Sequence, residues 1–366
     1  MAKPRLCLSV VLLFAAVLQA SLWGQSADAA PAVLSKAKEL SKKVLVNSRT
    51  ILVPGELANY IAEPVKCDDG GNIYITTDQW GVSAIHKLNA KGERVAMFQA
   101  KSDAGFKVAM AVRLSIANDG RLYQLVALRG SGDLARYVLV YNPDGTNQTR
   151  VKLQPGCFWH PAAIGVFPSG NMLITGQQFF SDAQRANVPF TGIFSPDGKL
   201  VREVKLGDDE AILHMTEVGD VRVVSPFDAA QNRAVGFSQM ELAKDGNIYL
   251  LRWLNPAILY AISPEGKVVR RFTVDPGDDN FRPAAMHITP GRIAVLFVQP
   301  QSEEKIIKVV DLEGRELASY GEAERDGRML NELGAGFACY TDQPERFTFL
   351  GSDDAHGLKL VIAEPR

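Results

Sequence analysis

The chain has 366 residues, 40 of them basic and 41 acidic, for a formal net charge of −1. So balanced a surface lacks the field that nucleic acid or anionic lipid would need, and no Lys/Arg run after the N-terminus supplies one locally. Electrostatic binding of either is therefore excluded as the main task, while the length suffices for one large core or two domains.

At the N-terminus, Lys3 and Arg5 precede an apolar run, Leu6 to Leu18, that is too short to cross a bilayer. Ala27-Asp28-Ala29 then offers a small-residue cleavage site. Residues 1–29 read as a signal peptide, so the mature protein is expected to be secreted or periplasmic, with no membrane insertion once the signal is removed. Residues 30–47, which include Lys36, Lys38, Glu39, Lys42 and Lys43, read as a linker or short helix. Arg49 to Val53 reads as a short strand lacking a neighbour in sequence.

From residue 48 to 366 one grammar recurs. The first half of each unit reads CDDGGNIYITT (67–77), IANDGRLYQLV (116–126), VFPSGNMLITG (166–176), LAKDGNIYLLR (242–252) and HITPGRIAVLF (287–297). Each copy ends an apolar strand, turns on a glycine that must take positive φ, and starts another strand; the neighbouring Asp can bond the local backbone. The second half, as in GIFSPDGKLVREVKL and YAISPEGKVVRRF, turns on Gly92, Gly145, Gly198, Gly266 and Gly314. Its last strand alternates apolar with charged residues and suits an outer position, whereas NIYLL is apolar on both faces and suits a strand between sheets.

Each unit is thus a four-stranded antiparallel meander, A to D, at a spacing of about 50 residues. A lone meander cannot bury both faces, and packing sheet on sheet around an axis solves this, so the expected fold is an all-β, six-bladed β-propeller. Near the C-terminus GFACYTDQPERFTFLGSDDAHGLKLVIAEP supplies only strands A, B and C. The N-terminal strand is expected to complete that blade and remove the exposed edges.

The DG-N-I-Y and S-P-D/E-G-K-V motifs resemble those of NHL-type six-bladed propellers and their lactonase-like and streptogramin-lyase-like relatives, over nearly the whole chain from Ser48. These are turn and packing motifs, which speak to fold and hardly to chemistry. The resemblance implies a metal site of Glu, Asn and Asp in the lactonase-like group, or paired histidines with a glutamate in the lyase-like group. This sequence departs from both, for His160 stands alone among its five histidines in a suitable position.

In such a meander the A–B and C–D turns share one rim, and the B–C loops and D–A crossovers share the other, where propeller ligands usually bind. Residues entering the A strands on the second rim are Glu63, Arg113, His160, Ser238 and Gln239, Arg282 and Phe337. Glu63, His160, Arg113 and Arg282 are the catalytic candidates, the arginines for an anionic or amide-bearing ligand and His160 or Glu63 as acid or base. The competing account pairs them with one another or with channel water. Asp78, Trp80, Trp159, Arg252, Trp253 and Gln239 are the binding candidates; the tryptophans would form an aromatic platform unless they are buried between blades. No metal site is assigned and no cofactor expected, although the acidic loops Gly207–Glu210 and Asp275–Asn280 offer oxygen ligands for calcium without the spacing of a known calcium loop. The sequence therefore favours a module that binds a protein, peptide or carbohydrate, with a lactonase-like hydrolase or lyase as the alternative. Cys67, Cys157 and Cys339 leave two readings open, one disulfide with a spare thiol or three unpaired buried cysteines.

Overall fold

The computed structural model describes residues 41–53, 57, 62–79, 82–100, 106–129, 136–146, 148–157, 159–178, 188–207, 234–236, 238–300, 302–322, 324–325, 328–329, 336–353 and 357–366. All lie in the compact unit Leu34–Arg366, and the expected signal peptide falls outside them. After β1 (Lys43–Leu52) the chain makes a first meander of β2 (Ala62–Cys67), β3 (Ile73–Gln79), β4 (Val82–Leu88) and β5 (Arg94–Gln99). The second is β6 (Lys107–Ile116), β7 (Leu122–Arg129), β8 (Arg136–Tyr141) and β9 (Gln148–Lys152); the third is β10 (Trp159–Val166), β11 (Met172–Gln178), β12 (Val188–Phe194) and β13 (Leu200–Glu203). The fourth is β14 (Gln239–Leu242), β15 (Ile248–Arg252), β16 (Ala257–Ile262) and β17 (Val268–Val274), and the fifth is β18 (Arg282–Ile288), β19 (Arg292–Val298), β20 (Lys305–Asp311) and β21 (Glu316–Glu322). A small hairpin, β22 (Glu324–Arg325) and β23 (Arg328–Met329), precedes the last strands, β24 (Gly336–Asp342), β25 (Glu345–Asp353) and β26 (Gly357–Pro365).

The recurring turns hold because their side chains saturate the local backbone. Asp68 accepts from the amides of Gly70 and Asn72 and, at 2.9 Å, from the Tyr74 hydroxyl; Asp245 likewise takes the Asn247 amide and the Tyr249 hydroxyl. This is why Asp, Asn and Tyr recur together: one carboxylate ties the turn to the strand that follows. Gly198 has a second constraint besides its φ of 86°, since a Cβ there would stand 2.2 Å from the Lys152 carbonyl oxygen. Only glycine lets that turn reach the second sheet, where the Gln154 amide donates to the Gly198 carbonyl at 2.9 Å.

The first strands touch in sequence, β2 to β6, β10, β14, β18 and β24, and β24 returns to β2, so the sheets stand in a closed ring. Apolar side chains fill the seam between each neighbouring pair, such as Tyr123, Leu125 and Val138 against Ile164, Ile174 and Phe194 between the second and third sheets. The second strands are sandwiched, as expected: every residue of β15 is buried, while the fourth strand β17 is largely exposed. The result is a β-propeller-type ring.

Closure uses three devices. Strand β1 pairs antiparallel with β26 over Leu45–Leu52, as expected for a shared last sheet. It also begins at Lys43, earlier than the Arg49 of the sequence reading, so the end of the expected linker or helix at 30–47 is strand. Its first residues, Lys43–Leu45, pair in parallel with Tyr320–Glu322 of β21 and merge two meanders into one eight-stranded sheet. This happens because the edge of β21 would otherwise stay unpaired beside it. Finally, Cys67 of β2 and Cys339 of β24 form a disulfide with Cα atoms 5.4 Å apart, while Cys157 stays a free thiol; the reading with three unpaired cysteines is overturned. A disulfide is consistent with an oxidising, extracytoplasmic compartment. No described helix is long and apolar enough to cross a membrane.

Candidate functional site

First strands face the axis, and three of them carry an ionisable residue at the next-to-last position: Lys66 in β2, Glu241 in β14 and His287 in β18. Because β2 and β14 are not neighbours in the ring, Lys66 meets Glu241 across the channel. Its Nζ lies 2.9 Å from Glu241 Oε1 and donates to the Met240 carbonyl at 3.1 Å, with Lys66 only 5% exposed. His287 Nδ1 approaches the same Oε1 at 3.4 Å, and its Nε2 donates to the Phe337 carbonyl of β24 at 3.0 Å. The Ile288 amide donates to Glu241 Oε2 at 2.7 Å. Burial alone would push the Glu241 carboxyl up, but Lys66 and His287 outweigh it and hold it at about 2, so it is ionised at neutral pH. The channel is thus bridged by a satisfied ion pair, which none of the sequence candidates included. The signal was an ionisable residue at the next-to-last position of each of these strands.

The sequence candidates separate into distinct fates. Glu63 and Asp78 lie in β2 and β3 with side chains outside the described set, and Trp80 is outside it altogether. Arg113 is half-buried in β6, beside a bulge that shifts the register between Ala111 and Arg113. Arg282 donates to the carbonyls of Asp279 and Phe281, so its own loop engages it.

Three binding candidates are engaged by neighbours within the fold. Trp159 is 4% exposed and packs edge-on to Phe190 and stacked on Phe194, at 5.3 and 5.4 Å between ring centroids; the seam between sheets claims it, not a platform. Gln239 donates to the Ala284 carbonyl at 2.7 Å and accepts from the Met286 amide at 3.0 Å, stitching β14 to the bulge of β18. Arg252 is fully buried and donates to Thr175 and Ser238 hydroxyls at 3.1 and 3.3 Å, which commits it to the third–fourth seam. Trp253, the next residue, remains half-buried where β15 leaves the sheet.

His160, at the start of β10, is held by a residue the sequence did not single out. Arg136, which opens β8, places Nη2 2.5 Å from His160 Nδ1. A guanidinium can only donate, so Nδ1 is unprotonated and the imidazole is the neutral tautomer with its proton on Nε2. Burial and the Arg136 charge together pull the His160 pKa down to about 4. Arg136 is itself only 8% exposed, and burial draws its own pKa down. Its Nε and Nη1 have no hydrogen-bond partner among the described residues.

In the loop Asp275–Asn280, Asp275 accepts from the Gly277 amide and Asp278 from the Asn280 amide at 2.7 and 2.8 Å, so both carboxylates serve their own turn. Of the loop Gly207–Glu210, only Gly207 is described. Free Cys157 is half-buried, and burial with the Glu203 charge pushes its thiol up, away from the reactive thiolate.

No family model matches the sequence, and no curated protein does. Among solved structures, a protein of unknown function from Bacteroides caccae is similar at 14% identity and a TM-score of 0.45, over 75% of this chain and 93% of that one. The PQQ-bound aldose sugar dehydrogenase of Streptomyces coelicolor reaches 12% and 0.45, over 89% and 99%. A puromycin hydrolase reaches 14% and 0.47, over 84% of this chain and 47% of that one. Likenesses this distant say nothing about the site, and the fold rests on the strand topology itself.

Proposed function

We propose that the chain is a six-bladed β-propeller of the extracytoplasmic space, secreted or periplasmic, that acts as a binding module. Its partner, a protein, peptide or carbohydrate, sits on the rim of B–C loops and D–A crossovers. The Arg136–His160 contact carries this reading against the hydrolase or lyase. Proton transfer is efficient when the catalytic pKa lies near the working pH, and an imidazole held at about 4 by burial and an adjacent guanidinium is a weak base and no acid at neutral pH. The same groups suit recognition, since they are fixed in place before any ligand arrives. Trp253 supports it too: the buried Arg252 before it anchors an aromatic side chain at the rim, the residue type that most often dominates binding energy.

The test is a screen of the immobilised mature protein against glycan and peptide arrays, followed by titration of the best ligand with Trp253→Ala. A hot-spot tryptophan costs about 2 kcal/mol or more, so affinity is expected to fall at least ~10-fold. Unchanged affinity in that variant would remove the rim from the account.

A further inference from the structure

Arg136 presents an imbalance in the seam between the second and third sheets. It is a buried cation, and buried charges persist in proteins only when a counter-charge and hydrogen bonds answer them. Its one described side-chain partner is the neutral imidazole of His160, which satisfies a single nitrogen and supplies no charge. Nε and Nη1 are buried and unanswered among the described residues. His160, at the start of β10, is itself only half-buried at this corner of the seam between the second and third sheets. One positive charge beside a neutral ring is balanced by one negative charge, which favours a monoanion over a doubly charged phosphate or sulfate.

We propose that this corner binds a single carboxylate group, with Arg136 as its counter-charge and His160 as the neutral group that holds the guanidinium in place. The assignment deepens the rim reading by naming the charge its ligand carries, and it rests on that reading only for the identity of the larger molecule. Guanidinium suits the task because it stays ionised when buried and offers several fixed donors, where a lysine would offer a point charge.

Calorimetric titration of the mature protein with acetate, chloride and sulfate, in a low-salt buffer, tests it. Acetate is expected to bind saturably, with chloride and sulfate at least ~10-fold weaker. Loss of one charged hydrogen-bonding partner is expected to weaken acetate by ~10–100-fold in Arg136→Met, with partial recovery in Arg136→Lys, which also serves if the Met variant does not fold. Glucuronate tighter than acetate would support the site and assign a sugar acid; N-acetylglycine tighter than acetate would support it and assign a peptide C-terminus. No heat with any anion, chloride equal to acetate, or wild-type acetate binding in Arg136→Met would each overturn it. Acetate binding retained in Trp253→Ala, with array capture unaffected there, would support the carboxylate site while removing the rim reading.

Discussion

Lys66 and Arg136 are both buried cations, yet the molecule treats them differently. Lys66 meets a carboxylate held at about 2 and a backbone carbonyl, and that carboxylate is further satisfied by His287 and an amide, so Lys66 and Glu241 answer each other from within the chain. Arg136 meets an imidazole and leaves two nitrogens without a described partner. The first arrangement is what a structural ion pair looks like. The second is the arrangement that we propose an anion from outside completes.

The comparison can be broken from either side. The largest effect is expected for Glu241→Gln, which leaves Lys66 and His287 facing no anion inside the channel; breaking a buried pair costs about 3–5 kcal/mol, read from the urea midpoint. Removing the covalent latch with Cys67→Ser comes next, at about 2–4 kcal/mol in the same assay, because the bridge spans a sequence separation of 272 residues and restricts the unfolded chain strongly.

Acid separates the two sites. His160 has a folded-state pKa depressed from 6.5 to about 4, so the unfolded chain takes the proton first, and its contribution is full above 6.5 and lost as pH falls toward 4. Glu241 is depressed from 4.5 to about 2, so its contribution is full above 4.5 and lost as pH falls toward 2. Stability is expected to decline in two stages, and His160→Gln is expected to erase the upper stage alone. A single decline confined below pH 4.5 in the wild-type protein would contradict the Arg136–His160 contact. The smallest effect is expected at the surface: Asp245→Ala removes turn hydrogen bonds to Asn247, Tyr249 and Arg270 and is expected to cost about 1 kcal/mol, a scale against which the buried sites are judged.

What could be read from the sequence follows from how local each interaction is. The repeated sheets were legible because their turns close within a few residues, with Asp68 and Asp245 bonding amides two to four positions on and Gly246 taking a φ of 83°. The shared last sheet was legible because the C-terminal stretch lacked a fourth strand. Lys66 and Glu241 were not, since 175 residues separate them and only ring closure brings them together. Cys67 and Cys339 stayed ambiguous for the same reason. The seam contacts of Trp159 and Arg252 were not legible because both lie where strand meets rim, and strand numbering alone does not say whether a side chain turns into the seam or away from it. Arg136 was overlooked because its meaning depends on His160, 24 residues on and in another sheet.

The most direct measurement is the urea midpoint of Lys66→Met and Arg136→Met side by side, in buffer free of carboxylates. Lys66→Met strands Glu241 and is expected to lower the midpoint, whereas Arg136→Met removes an unanswered buried charge and is expected to hold or raise it, with opposite signs marking an internal pair and a site awaiting an anion. A loss in Arg136→Met as large as that in Lys66→Met would show that Arg136 is already answered within the fold, and would contradict the account.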